Sequence, residues 1–360
     1  MNKPISEQES NPLHDPRKLN AYFQELLQNN SKANECKGLF TVKPANAWID
    51  SARKRPIPRM LFGEFWFEGE LCILFADTNL GKSILAVQIA NSISRGLGIG
   101  GFKLEAQKQA VLYFDFELSD KQFENRYSVN FEVHYVWDDK FFRVEINPDA
   151  EIPDKQSFED YLNSSLERAI VETGAKVLVI DNLTYLKNET ERAKDALPLM
   201  KHLKALKSKY GLSIMALAHT PKRDSSKPLT GNDLQGSRML LNFCDSCFAI
   251  GASRQDSHLR YIKQIKQRNT EQIYGDDNVC LCQIEKPHNF LQFSFIGCVA
   301  EWDHLKQSSE GDKEKRNAEV LELHRQGISN VDIAKRYGVS EGAVRKWLKK
   351  AEAVEDEKTK

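Results

Sequence analysis

From Leu61 onward the chain alternates short apolar runs with longer mixed segments. The runs Leu71–Ala76, Ala110–Phe116, Lys176–Asp181 and Ser213–Ala218 carry mostly large or β-branched apolar side chains, as strands buried on both faces do. Between them Lys82–Arg95, Ser157–Thr173 and Ala193–Tyr210 have helix length. This alternation predicts an α/β domain with a largely parallel sheet. After Asn242 the runs come closer together, at Cys244–Gly251, His258–Gln267, Val279–Lys286 and Phe290–Ile296. They predict a β-meander that extends one edge of the same sheet.

Ahead of this, residues 1–60 are polar and mixed, with one helical pattern in Leu19, Phe23, Leu26 and Leu27 and a close at Pro56 and Pro58. Gln307–Arg316 (QSSEGDKEKR) is polar, charged and glycine-bearing, the composition of a linker. The expected organisation is therefore a polar, helical lead segment (1–60), an α/β domain (61–305), a linker (306–316), a small helical domain (317–350) and an acidic tail (351–360).

The helical domain reads as three short helices. Val320, Leu321 and His324 share a face of the first, which Gly327 stops. Ser329 caps the second, with Ile333, Ala334 and Tyr337 inward. Gly338 and Val339 turn the chain, Ser340 caps the third, and Val344, Trp347 and Leu348 pack back. Two short helices joined by a glycine-containing turn resemble a helix-turn-helix of the homeodomain-like or resolvase type. The third would be the recognition helix, presenting Glu341, Gly342, Arg345, Lys346 and Lys349 to duplex DNA.

Charge supports that reading. The whole chain is formally neutral, yet residues 313–350 hold ten Lys or Arg against five Asp or Glu. A basic module on a near-neutral body points to a polyanion partner. At 41% hydrophobic and 28% charged the chain can bury a core, and no apolar stretch approaches the ~18 residues of a membrane span. The N-terminus lacks a secretory pattern, and seven cysteines are too few and odd for a disulfide framework, so a cytoplasmic protein is expected. Cys244–Cys247 and Cys280–Cys282 have CxxC and CxC spacing in expected strands, which favours buried free thiols over a zinc site.

The strongest motif is Ala76-Asp77-Thr78-Asn79-Leu80-Gly81-Lys82-Ser83, followed by Ile84, between a strand and a helix. It fits a P-loop with Ala76 at the usual first glycine, tolerable where that residue needs no positive φ. Backbone N–H groups of the turn would cradle the phosphates of ATP, Lys82 would reach the β- and γ-phosphates, and Ser83 would ligate Mg²⁺. Asp181, ending an apolar strand, is the expected carboxylate partner of the metal. Asp115 and Glu117 end another strand. Glu117, further toward the ligand side, is the candidate base, and Asp115 would cap or orient.

The segment YFDFELSDKQFENR resembles the RecA-like ATPases, especially plasmid RepA replication helicases and DnaB-type relatives, in which a strand ending in Glu supplies the catalytic carboxylate. LVIDNLTYL is similar to the second nucleotide motif of those families. SIMALAHTPKR places His219 as the γ-phosphate sensor, LQGSRMLLNFCDS resembles the next segment, and YIKQIKQRN makes Lys266 and Arg268 a pair acting on a neighbour's nucleotide. The likeness spans about Leu61 to Trp302. It implies a homo-oligomeric ring, a hexamer, that hydrolyses ATP and unwinds DNA in plasmid or mobile-element replication. Loop Thr220–Leu234, with Lys222, Arg223 and Lys227, would then meet single-stranded DNA, although it also reads as an ordinary surface loop without aromatic residues. The rival reading is an ATP-switched DNA-binding regulator that unwinds nothing.

Overall fold

The computed structural model describes residues 40–154, 156–183, 196–235, 237–305, 310–337 and 339–358. Its contacts divide the chain into two units, residues 1–57 and 58–360. The described part of the first holds one helix, α1 (Ala45–Arg53), with no buried residue. The pattern at Leu19–Leu27 lies outside the described residues.

In the second unit the elements follow in the order β1 (Met60–Phe62), β2 (Trp66–Phe67), β3 (Leu71–Ala76), α2 (Lys82–Arg95), β4 (Val111–Asp115) and α3 (Asp120–Arg126). Next come β5 (Ser128–Val129), β6 (Val133–His134), β7 (Phe141–Val144), α4 (Phe158–Thr173), β8 (Val177–Asp181), α5 (Ala196–Tyr210) and β9 (Ser213–His219). The α/β part closes with α6 (Ser237–Phe243), β10 (Ser246–Ala252), β11 (Leu259–Lys266), β12 (Val279–Glu285) and β13 (Gln292–Val299).

A nine-stranded sheet has the order β13-β12-β11-β10-β3-β9-β8-β4-β7. From β10 to β7 all neighbours are parallel, and β11 to β13 add antiparallel at one edge, as the meander pattern predicts. The strands look uniformly apolar because each face has its own core. Leu71, Ile73 and Phe75 join Leu166 and Ile170 of α4 and Met200 and Leu203 of α5 on one side. Cys72, Leu74 and Ala76 join Leu85, Ile89 and Ile93 of α2 on the other. Helix ends follow local chemistry. Ser119 and Gln122 form a capping box on α3, and Ser157 accepts from the Asp160 N–H at 3.1 Å on α4. The four paired-motif cysteines, Cys244, Cys247, Cys280 and Cys282, are free and buried.

The basic region folds as α7 (Glu310–Arg325), α8 (Asn330–Tyr337) and α9 (Glu341–Lys358). Val320, Leu321, Leu323, Ile333, Ala334, Val344 and Leu348 form their shared core. Three expectations change. His324 is exposed and Leu323 takes the inward place. Glu310 to Arg316, read as linker, is the start of α7, because a Glu/Lys-rich stretch with a single Gly311 retains enough helix propensity to continue. The acidic tail likewise continues α9 as far as Lys358. Ser329 caps α8 through the Asp332 N–H at 3.2 Å.

Candidate active site

Ala76 of β3 pairs with His219 of β9, and Asp115 of β4 pairs with Asp181 of β8, so four strands bring their carboxyl ends together. An open α/β sheet binds ligands at this edge. Between β3 and α2 the chain turns through Asn79 at φ 63° and Gly81 at φ 91°, both left-handed, while Ala76 has no positive φ. The Ala76 methyl is thus tolerated at the usual glycine position. Gly81 is required twice over, since a Cβ there would also come within 2.9 Å of Ile284 and 3.0 Å of Phe293. No side chain caps α2 at Gly81, which leaves its first N–H groups directed at the turn. Asp77, Thr78 and Asn79 are exposed, whereas Leu80 and Ile84 pack against the core, so these two can meet a phosphate only through their backbones.

Lys82 is buried, and its Nζ donates to the carbonyls of Ala76 at 2.9 Å and Asp77 at 3.2 Å. Burial pulls its pKa below the ordinary lysine value, against the opposing pull of Asp181, Glu117 and Asp77. His219 Nδ1 lies 3.3 Å from the same Nζ, and its Nε2 lies 3.5 Å from Glu117 Oε1. The hydrogen bond with His219 holds the Glu117 carboxyl below the usual range, so it is ionised and can accept a proton. Asn182, which follows Asp181, places its amide against Glu117 Oε1 and 2.9 Å from His219 Nε2.

Asp181 is 1% exposed. Its Oδ2 accepts from the Tyr113 hydroxyl at 2.7 Å, and its Oδ1 is buried without a hydrogen-bond partner. Desolvation raises its pKa to about 6, opposed by hydrogen bonds from Ser83 and Tyr113. A buried carboxylate with one orphaned oxygen beside a hydroxyl fits Mg²⁺, which commonly takes one or two protein oxygens and completes its shell with phosphate and water. Among the described residues no cluster of three His, Cys, Asp or Glu could hold a metal by itself.

Lys266 and Arg268 lie apart from this group. Lys266 donates to the carbonyls of Leu241 and Cys244, the latter at 2.8 Å. Arg268 pairs with Asp245 at 3.1 Å, and Asp245 accepts from the Leu71 N–H at 3.0 Å. Arg268 is therefore level with the start of β3, about 17 Å along the strand direction from Ala76. In the loop after β9, Lys222 is exposed and Lys227 pairs with Asp224 at 3.7 Å. Arg223 is not a free cation of this loop. It pairs with Asp233 at 3.4 Å and lines a hollow of about 300 Å³ with Asp77, Leu80, Gly251 and Arg254. Leu229 in mid-loop is fastened by a buried ion pair, Lys263 to Glu301 at 2.5 Å. Lys263 donates to the Leu229 carbonyl, and Glu301 accepts its N–H, both at 2.7 Å. On α9, Glu341 is half-buried and pairs with Arg345 at 2.6 Å, whereas Lys346 and Lys349 are exposed.

Sequence reasoning missed Asn182, Tyr113 and Arg143. Tyr113 and Asn182 stand inside quoted motifs, but a neutral side chain gives no chemical signal until a neighbouring strand supplies its partner. Arg143 lies on β7, outside every motif, and its Nε reaches Asp115 Oδ2 at 2.9 Å.

A family model described as "AAA domain" matches residues 41–225, and one described as "Homeodomain-like domain" matches residues 312–356. Among solved structures, a KaiC-like protein from the hyperthermophilic archaeon Pyrococcus horikoshii OT3 is similar, at 14% identity and a TM-score of 0.46, covering 66% of this chain and 99% of that one. No curated protein matches the chain. An α/β P-loop ATPase core is thus joined to a small all-α helix-turn-helix module. No helix among the described residues is long and apolar enough to cross a membrane.

Proposed function

Since the chain belongs to the AAA domain family over more than half its length, we propose that it is an ATP-hydrolysing, DNA-binding regulator whose nucleotide state controls how its helix-turn-helix module engages duplex DNA. The observation that carries the ATPase half is the contact chain Lys82–His219–Glu117, with Asn182 against the last two. It joins a phosphate cation to a carboxylate kept ionised.

ATP binds with its phosphates over the turn Ala76–Ser83 and Lys82 on their charge. Glu117 accepts the proton of the attacking water, and His219 and Asn182 hold that carboxylate and its approach. Ser83 and Asp181 would hold Mg²⁺, which neutralises charge on the phosphate oxygens when bound. The hollow beside Asp77 and Leu80 has room for the nucleoside. Lys266 and Arg268 serve a neighbouring subunit's nucleotide, because they stand at the far end of the sheet from Lys82. Hydrolysis then depends on assembly into a ring. In this reading the ATPase domain keeps the limits 61–305 and the helix-turn-helix module runs from near Glu310 to Lys358.

Regulation is favoured over unwinding by the loop after β9. Two of its three cations are tied to carboxylates within the loop, which leaves little of the basic track that single-stranded DNA needs. The test compares duplex affinity with ATP bound in Glu117→Gln and with ADP bound in the wild type, beside strand displacement on a forked duplex. The expected result is an affinity that differs between nucleotides by about tenfold, with no displacement. Displacement driven by ATP hydrolysis would restore the helicase reading, and equal affinities would remove the switch.

A further inference from the structure

We propose that Arg143 is a positioning residue for Glu117, fastening the backbone turn that carries this carboxylate. The inference rests on Glu117 being the base, as above.

β7 is the edge strand of the sheet and lies parallel to β4, with Arg143 in register with Tyr113. The Arg143 side chain is only 17% exposed. Its Nε donates to Asp115 Oδ2 at 2.9 Å, its Nη2 to the Leu118 carbonyl at 2.8 Å, and its Nη1 to Asp120 Oδ1 at 2.7 Å. Glu145 adds a further ion pair, and the guanidinium lies 4.7 Å from the Phe123 ring centroid. The other oxygen of Asp115 accepts the N–H groups of Glu117 at 3.3 Å and Leu118 at 3.0 Å. One guanidinium therefore gathers positions 115, 118 and 120, and through Asp115 it also governs 117.

Glu117 lies beyond the end of β4, outside the ladder that fixes its neighbours. A base displaced by about 1 Å can lose about a hundredfold in rate. Only a planar fork reaches these acceptors together. A lysine ammonium keeps the charge and loses the geometry.

The test uses the full chain carrying Arg143→Lys, alone and combined with Glu117→Gln. It measures kcat per nucleotide-binding site, ATP affinity and single-turnover hydrolysis. Arg143→Lys is expected to lower kcat about tenfold to a hundredfold with ATP affinity changed less than about twofold. In the Glu117→Gln background it should lower the residual rate no further. A wild-type kcat in Arg143→Lys, or an equal loss in both backgrounds, overturns the proposal. A wild-type rate in Glu117→Gln alone overturns instead the assignment beneath it. If Arg143→Lys reduces the number of competent sites, Asp120→Asn replaces it, because this carboxylate is 85% exposed and its loss spares the buried Asp115 pair. A several-fold fall in kcat at unchanged ATP affinity is expected there, and no fall overturns the proposal.

Discussion

The Lys82 ammonium lies 3.3 Å from His219 Nδ1 because β3 and β9 are adjacent and in register at their carboxyl ends. An ammonium has only donors, so Nδ1 is the acceptor of this contact, while Nε2 faces Glu117 and the Asn182 amide at the other end of the ring. Phosphate and Nδ1 compete for the same donor. When phosphate draws Lys82 away, the ring is released at one end while still in contact with the base at the other.

Lys82→Ala and Glu117→Gln should fail differently. The first removes a fixed cation from the phosphates, so both nucleotide affinity and hydrolysis should fall, each by tenfold or more. The second spares the turn and removes only the proton acceptor, so ATP should remain bound and uncleaved. Equilibrium binding and single-turnover hydrolysis on both variants check this. Wild-type hydrolysis by Glu117→Gln would remove the assignment.

Asp181 makes the site costly to the fold. Its pKa stands at about 6 in the folded chain against 3.8 ordinarily, so between these values the folded state holds the extra proton. Stability therefore falls as pH rises from about 4 to 6, by an amount on the order of 2–3 kcal/mol, and stays lower above pH 6. Without Mg²⁺ and nucleotide, Asp181→Asn should unfold at a higher temperature than wild type at pH 8. The gap should close as pH falls toward 4, and hydrolysis should be lost throughout. A variant less stable than wild type at pH 8 would show that the buried charge is compensated.

Arg268 and Lys82 offer a test by mixing. Arg268→Ala should bind ATP nearly normally while hydrolysis falls by the ~10³–10⁵ typical of a trans-acting arginine. Combined with Lys82→Ala subunits it should regain activity, since some interfaces then join an intact Lys82 to a neighbour's intact Arg268. Co-assembled mixtures that stay inactive at every ratio would exclude a trans role in which one intact interface suffices.

On α9, Lys346 and Lys349 are exposed and make no ion pair among the described residues, whereas Arg345 is held by Glu341. Lys346→Ala and Lys349→Ala should each weaken duplex binding similarly on all sequences and reduce the salt slope by about one. Basal ATP hydrolysis should not change. Salt titrations of DNA binding measure both, and an unaltered slope would place these lysines off the DNA.

The sheet was legible because its strands are continuous apolar runs and its helices begin and end at local punctuation such as Gly81 and Gly96, both at positive φ. The P-loop and Asp181 were legible because they stand where strand meets loop within a motif. Arg223 was not: sequence shows a cation in a loop, while its pairing with Asp233 appears only in the fold. His324 misled for a related reason, because Leu323 and His324 are both plausible on an inward face and only packing chooses between them. The start of α7 at Glu310 was not legible, because a polar, charged, glycine-bearing stretch has the composition of a linker although Glu and Lys are also good helix formers.

The buried pair of Lys263 and Glu301 has a thermal consequence. A fifteen-residue loop free between its ends would lose much conformational entropy whenever a ligand ordered it. Pinned at Leu229 by both its N–H and its carbonyl, the Thr220–Leu234 loop behaves instead as two short tethers, each with few conformations to lose. Whatever meets this loop meets a surface largely ordered in advance. Its affinity should depend less on temperature through chain ordering than a loop of this length and glycine–proline content would lead one to expect.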